Sequence, residues 1–141
     1  MLVVDASVAI KFVMLEAGSE QALELIERNQ ELIAPDWMLL EAAHGLWKAV
    51  RSQTLTSATA IRANATLPDF FDEFFPAAEL MSAAIALSYA LDHATYDCLY
   101  LALAMSESAP LVTADRKFWN AAKRAGHGDH VQLLEWPRSK P

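Results

Sequence analysis

The sequence predicts an α/β fold: three layers, α/β/α, around a short, mostly parallel central sheet. Three observations predict it. Short apolar runs alternate with longer helical stretches, so the links between strands are crossovers, which build parallel sheets with helices on both faces. The strand runs are short and continuously apolar, as in a sheet covered on both sides. The chain has 141 residues, 54% hydrophobic and 21% charged, which is one domain's worth of chain with a sizeable core and no compositional sign of disorder. No repeat, linker or low-complexity tract interrupts it, so a single domain over residues 1–141 is expected.

Leu2–Val4 is the first strand, its Val-Val pair suited to a packed pleated surface, and it ends at Asp5. Ala6 to Met14 continues as helix, and a second helix opens after Gly18 with Ser19 as N-cap and Ala22, Leu23, Leu25 and Ile26 at helical spacing. Glu31–Ala34 is a second strand, stopped by Pro35. A long helix starts near Asp36, with Leu39, Ala43, Leu46 and Val50 as its apolar stripe. Thr56–Leu67 is helical and closed by Pro68; Pro68–Pro76, with its two Phe-Phe pairs, reads as a short edge strand or loop. Ala77–Leu91 and Tyr96–Glu107 are Ala- and Leu-rich helices. Pro110–Thr113 is a strand, Asp115–Arg124 a helix, and Val131–Leu134 the last strand.

Charge and composition exclude several classes. Eleven Lys and Arg against eighteen Asp and Glu give a formal net charge of −7, which argues against nucleic-acid binding by bulk positive charge. One cysteine, Cys98, allows neither a disulfide framework nor a Cys-rich zinc site. Asp5 breaks the N-terminal apolar run, so it is not a signal peptide. The longest uncharged apolar stretch, Ala83–Leu91, is far short of the ~20 residues of a membrane span. A soluble, cytoplasmic protein is the expectation.

Ligands of open parallel sheets bind beyond the carboxyl ends of the strands. Asp5 ends the first strand, and Asp115 follows the strand Leu111-Val112-Thr113. From Asp97 to Glu107 a helix runs ~16 Å away at about 1.5 Å per residue. Pro110 to Asp115 returns a comparable distance at roughly 3.3 Å per residue. Glu41, early in the helix after the second strand, starts from the same rim. Topology therefore brings Asp5, Glu41, Asp97 and Asp115 together. Each aspartate, taken singly, is also explained as a helix cap worth ~0.3–1 kcal/mol, and Asp36 is read as such a cap. Glu41 lies beyond the first turn; its bland reading is an exposed glutamate near His44. Clustered carboxylates repel unless a cation is present. Oxygen ligands select hard divalent ions, Mg²⁺ or Mn²⁺, which suit phosphoryl chemistry.

The opening Val-Val-Asp-Ala-Ser-Val-Ala resembles the N-terminal motif of PIN-domain ribonucleases. Ala34-Pro35-Asp36 with Glu41-Ala42-Ala43, then Thr95 to Ala104, then Leu111-Val112-Thr113-Ala114-Asp115-Arg116-Lys117-Phe118 resemble the family's next three motifs. Any one is weak; four in order, spanning nearly the whole chain, are specific. Size and composition are similar to the VapC-type toxins of bacterial toxin–antitoxin pairs. The resemblance implies a PIN-like domain and a Mg²⁺- or Mn²⁺-dependent endoribonuclease silenced by a cognate antitoxin. It maps Asp5, Glu41, Asp97 and Asp115 onto the family's catalytic acids and metal ligands, Asp5 and Asp97 foremost, with Ser7 and Thr113 supporting them. Cys98 stands where the family often has Ala, a substitution a small buried thiol makes easily. The alternative is a PIN-like module that binds RNA or antitoxin without turnover; the presence of all four acids weighs against it. Aspartate-nucleophile phosphatases also begin with a strand-ending Asp, but they need a second Asp where this chain has Ser7.

Other residues have plainer readings. His127 and His130 sit between glycines in a turn, a surface loop rather than a zinc site. His44 and His93 read as solitary, satisfied side chains. Met38, Met81 and Met105 read as core, and Tyr96 and Tyr100 as packing beside the site rather than bases' stacking partners. Lys48, Arg51 and Arg62 form an acid-free stretch. Arg116, Lys117, Lys123 and Arg124 cluster after Asp115, where Arg116 and Lys117 would meet an RNA backbone. Mean hydropathy is +0.16, high for a small soluble domain. The two Ala-rich helices therefore predict contiguous apolar surface left exposed, and the resemblance implies a two-fold homodimer on part of it, with another apolar groove near Trp37 and Trp47 for the antitoxin.

Overall fold

The computed structural model describes residues 1–137, so the last four positions of the expected 1–141 domain lie outside the described residues. Five strands, β1 (Leu2–Val4), β2 (Leu32–Pro35), β3 (Glu73–Phe75), β4 (Leu111–Thr113) and β5 (Val131–Leu133), form one sheet in the order β3-β2-β1-β4-β5. Every neighbouring pair is parallel, with Val3 opposite Ile33 on one side and Leu111 on the other. The chain moves outward from β1 to β2 and β3, then crosses back to lay β4 on the free side of β1. The direction of winding reverses between β1 and β4, and such a reversal opens a crevice at the strands' carboxyl ends.

All residues of β1, β2 and β4 are buried, with no alternation. That pattern requires apolar cover on both faces. The cover comes from α1 (Ala6–Ala9), α2 (Ser19–Glu27), α3 (Trp37–Arg51), α4 (Ser57–Thr66), α5 (Ala77–Leu91), α6 (Thr95–Ser106) and α7 (Arg116–Arg124). Helix α6 packs across β1, β2 and β4, and every residue from Cys98 to Ala104 is buried. Helix α5 lies on α6 and buries only Leu80, Ala84, Leu87 and Leu91. Its other side leaves Met81, Ile85 and Tyr89 exposed, Tyr89 to 83%. A smaller core of Met14, Leu46, Ala49, Ala60 and Ala63 joins α3 to α4.

Several local expectations are corrected. The helix expected over Ala6–Met14 tightens after Ala9 into a 3-10 turn, Ile10–Phe12. This turns Lys11 inward, where its ammonium meets Glu16 at 2.9 Å and the Ala17 carbonyl at 2.7 Å. Helix α2 is capped by Gly18, not Ser19, because the chain enters it at φ 87°, a region that costs glycine little. A Cβ at Gly18 would also lie 2.7 Å from the Trp136 ring. Strand β2 runs through Pro35 to pair with Phe75. The buried stripe of α3 is Met38, Ala42, Leu46 and Ala49, displaced one residue from the expected one except at Leu46. Met38 is core, whereas Met81 and Met105 are 47% and 40% exposed. Asp36 makes no cap bond to its own helix; its Oδ1 accepts from the Ala77 N–H, at the start of α5, at 2.9 Å.

Candidate functional site

Asp5 leaves β1 at the reversal point and becomes the N-cap of α1. Its Oδ1 accepts from the Val8 N–H at 3.1 Å and the Ser7 hydroxyl at 2.6 Å. The Ser7 oxygen in turn accepts from the Ala114 N–H at 2.9 Å, so one hydroxyl ties the end of β1 to the end of β4. Thr113, the fully buried last residue of β4, accepts from the Asp115 N–H at 3.0 Å. Asp115 caps α7 through Oδ1, which accepts from the Lys117 and Phe118 N–H groups. Asp5 and Asp115 are thus caps, as the bland reading holds, and both lie beside the β1–β4 crevice.

Asp97 differs. It stands in the first turn of α6, whose N-cap, Ala94, supplies no side-chain bond. Instead its Oδ2 lies 2.6 Å from Nε2 of His93. His93, Asp97 and Asp115 offer donor atoms that all lie within 4.8 Å of one another. Glu41, on α3, accepts from the Tyr100 hydroxyl at 2.7 Å. Tyr100 follows Asp97 by three residues, so both point from one side of α6.

Electrostatics link these groups. Burial pushes Asp5 from 3.8 up to about 7, against the pull of bonds from Ser7, Thr113 and Val8, and the Asp97 charge adds to the rise. Burial also raises Glu41, opposed by Tyr100 and reinforced by Asp97. Asp97 itself is raised by burial, lowered by His93, and raised again by Asp115. Asp97 is therefore within charge–charge range of each of the other three acids. The Tyr100 phenol is pushed far up by burial and by the Glu41 and Asp5 charges, so it stays a hydrogen-bond donor. Cys98 is buried and raised to about 11 by burial and Asp97, an unreactive thiol.

The remaining residues fall around this centre. Arg116 and Lys117 are exposed at the start of α7, with Arg116 4.0 Å from Glu135 and 5.8 Å from the Trp119 ring centroid. Beside Glu41, Trp37, Leu40, His44 and Tyr96 line a groove of about 480 Å³. Tyr96 is half-exposed and stacks on Trp37 at 5.5 Å and 5°, while Tyr100 is buried. Trp47 is exposed beneath His44, the rings 5.5 Å apart. The rings of His127 and His130 lie 5.9 Å apart in a turn, with no third metal-ligating group gathered to them among the described residues. His93 is the residue that sequence reasoning missed. It is not solitary, and its signal was its place just before the helix that carries Asp97, four residues away.

The family model of the PIN domain matches residues 2–124. Ribonuclease VapC3 of Pyrobaculum aerophilum is 35% identical over 118 residues, covering 82% of this chain and 90% of that protein. The crystal structure of PAE2754, also from Pyrobaculum aerophilum, superposes with a TM-score of 0.68 at 24% identity. It covers 94% of this chain and 90% of that one, and so shares its fold.

Proposed function

The chain belongs to the PIN-domain family, and on that footing we propose that it is a metal-dependent endoribonuclease, the toxin of a toxin–antitoxin pair. The observation that carries the reading is the gathering of Asp97 and Asp115 within 4.8 Å of one another at the crevice between β1 and β4, with Asp5 and Glu41 within charge–charge range of Asp97. Buried acids held above their ordinary range are relieved by a cation. The donors are carboxylate oxygens with one imidazole nearby, a set that fits Mg²⁺ or Mn²⁺ better than a soft ion. Asp5, Asp97, Glu41 and Asp115 would hold it. When bound, such an ion supplies Lewis-acid stabilisation of the phosphate and a more acidic water.

The chain's own residues do the orienting. Ser7 and the Val8 N–H fix Asp5, Thr113 supports both Asp5 and the turn into Asp115, and Tyr100 fixes Glu41. Arg116 and Lys117 would take the RNA backbone where it leaves the acids. The likeness to a VapC ribonuclease supports RNA as substrate and an antitoxin as partner. No helix among the described residues is long and apolar enough to cross a membrane; a single PIN domain acting in the cytoplasm is part of the same proposal. The exposed side of α5 is offered as the homodimer surface, and the groove along Trp37 and Trp47 as the antitoxin's.

The test is RNA cleavage by the purified full chain with Mg²⁺ or Mn²⁺. Cleavage should stop with chelator and be abolished by Asp97→Asn in a protein that still folds. Undiminished cleavage by that variant would overturn the mechanism. RNA bound but never cut by the wild type would favour the binding-module alternative.

A further inference from the structure

We propose that His93 is the positioning residue of this site: its imidazole holds the Asp97 carboxylate in the orientation that receives a divalent cation. The inference rests on the reading of the acids as a cation site. Asp97 lies in the first turn of α6 without a cap bond from the helix, so its own element does not fix its rotamer. The partner that does is Nε2 of His93, 2.6 Å from Oδ2. A carboxylate engaged through one oxygen is no longer free to swing.

The imidazole is itself held by its neighbours. Its side chain is 10% exposed against 25% for Asp97, so it stands behind the carboxylate rather than in front of it. Its ring packs on the fully buried Phe118 ring at 5.1 Å and 38°. Its backbone is pinned to the end of α5. The His93 N–H donates to the Ser88 carbonyl at 3.1 Å, and the Ser88 hydroxyl donates to the His93 carbonyl. Thr95 adds a hydroxyl bond to Ser88 at 3.3 Å. Asp92 closes α5 in the left-handed region at φ 49°, an uncommon conformation for a residue with a side chain. This loop thus delivers one ring to one carboxylate oxygen, and the Phe118 that braces the ring lies on the helix capped by Asp115. The two acids and the histidine form one unit across α6 and α7.

The experiment is Mn²⁺ titration by calorimetry on the full chain, with melting curves in chelator as the check on folding. His93→Ala removes the donor, and His93→Phe removes it while keeping the packing on Phe118, so one serves if the other does not fold. His93→Gln restores an N–H donor of similar reach. Loss of an outer partner of a metal ligand costs 10–100-fold in affinity, so the Ala and Phe variants should bind Mn²⁺ roughly 10–100-fold more weakly and the Gln variant within about threefold of wild type. Wild-type affinity in the Ala or Phe variant would overturn the proposal. A Gln variant as weak as Ala would also overturn it, in favour of the imidazole as a direct ligand. Mn²⁺ bound as expected by a protein that cuts no RNA would count against the ribonuclease reading alone. A wild type that binds no Mn²⁺ would refute the cation site and this inference with it.

Discussion

Asp5→Asn should make the metal-free protein more stable, and only above the acid range. Asp5 is 4% exposed, and burial moves its carboxyl from 3.8 to about 7. Between those values the native state binds the proton that the unfolded chain has released, so stability falls as pH rises through this window. At 1.36 kcal/mol per pH unit the full cost is about 4 kcal/mol at pH 8, and nothing below pH 4. Asparagine keeps an Oδ1 to accept from Ser7 and Val8 while carrying no charge, so the cap survives. Allowing for local relaxation, the variant should gain about 2–4 kcal/mol at pH 8 in chelator. For a chain of this size that raises Tm by roughly 10 °C, at about 2–4 °C per kcal/mol.

The assay is thermal melting of both proteins from pH 4 to pH 8, with chelator and then with Mg²⁺. Near pH 4 the curves should meet, since wild-type Asp5 is then neutral. With Mg²⁺ at 100 times its dissociation constant the wild type should recover about 2.7 kcal/mol, and the variant, short of one ligand, should gain less. A variant no more stable than wild type at pH 8 in chelator would refute the reasoning. So would a gain of the same size at pH 4, because it would not be electrostatic.

Removing both Arg116 and Lys117 as alanines should weaken RNA binding at every sequence and flatten its salt dependence, lowering the slope of log K against log salt by about 1.4, at ~0.7 per single-strand phosphate; an unchanged slope places the RNA elsewhere. Sedimentation at micromolar concentration should find a dimer that Ile85→Glu, on the exposed side of α5, converts to monomer; a wild type already monomeric would discard that surface. Trp47→Glu should weaken antitoxin capture while leaving the fold and metal affinity alone, and unchanged capture would move the partner off α3.

What the sequence made legible follows the range of the forces involved. The alternation of strands and helices was readable because each element carries its own hydrophobic pattern, and the edge strand Glu73–Phe75 was readable only as an alternative because it is three half-buried or exposed residues long. The face of α3 was missed by one residue. Its apolar positions fill two adjacent stripes, and packing against α1 and α4 selects between them. Asp36 was misread for a related reason: an Asp before a helix favours capping it, but a carboxylate bonds whichever N–H the fold brings, here Ala77 from forty-one residues on.

The acids of the site were legible as types and positions; their hydrogen-bonding partners were not. A strand-ending aspartate announces itself through topology, whereas Tyr100 and His93 look like core or incidental residues until helix α6 is set against α3 and α7. Both then take the same part, each giving a hydrogen bond to one carboxylate that no cap holds, Tyr100 to Glu41 and His93 to Asp97. The two aspartates that are caps are fixed by backbone N–H groups of the helices they cap, Asp5 with the Ser7 hydroxyl besides. Every acid in the cluster is thereby oriented before any cation arrives. That division explains why four groups that repel one another can stay gathered at one crevice: helix-cap geometry holds two of them, and side-chain donors hold the other two, His93 from four residues before Asp97 and Tyr100 across to Glu41.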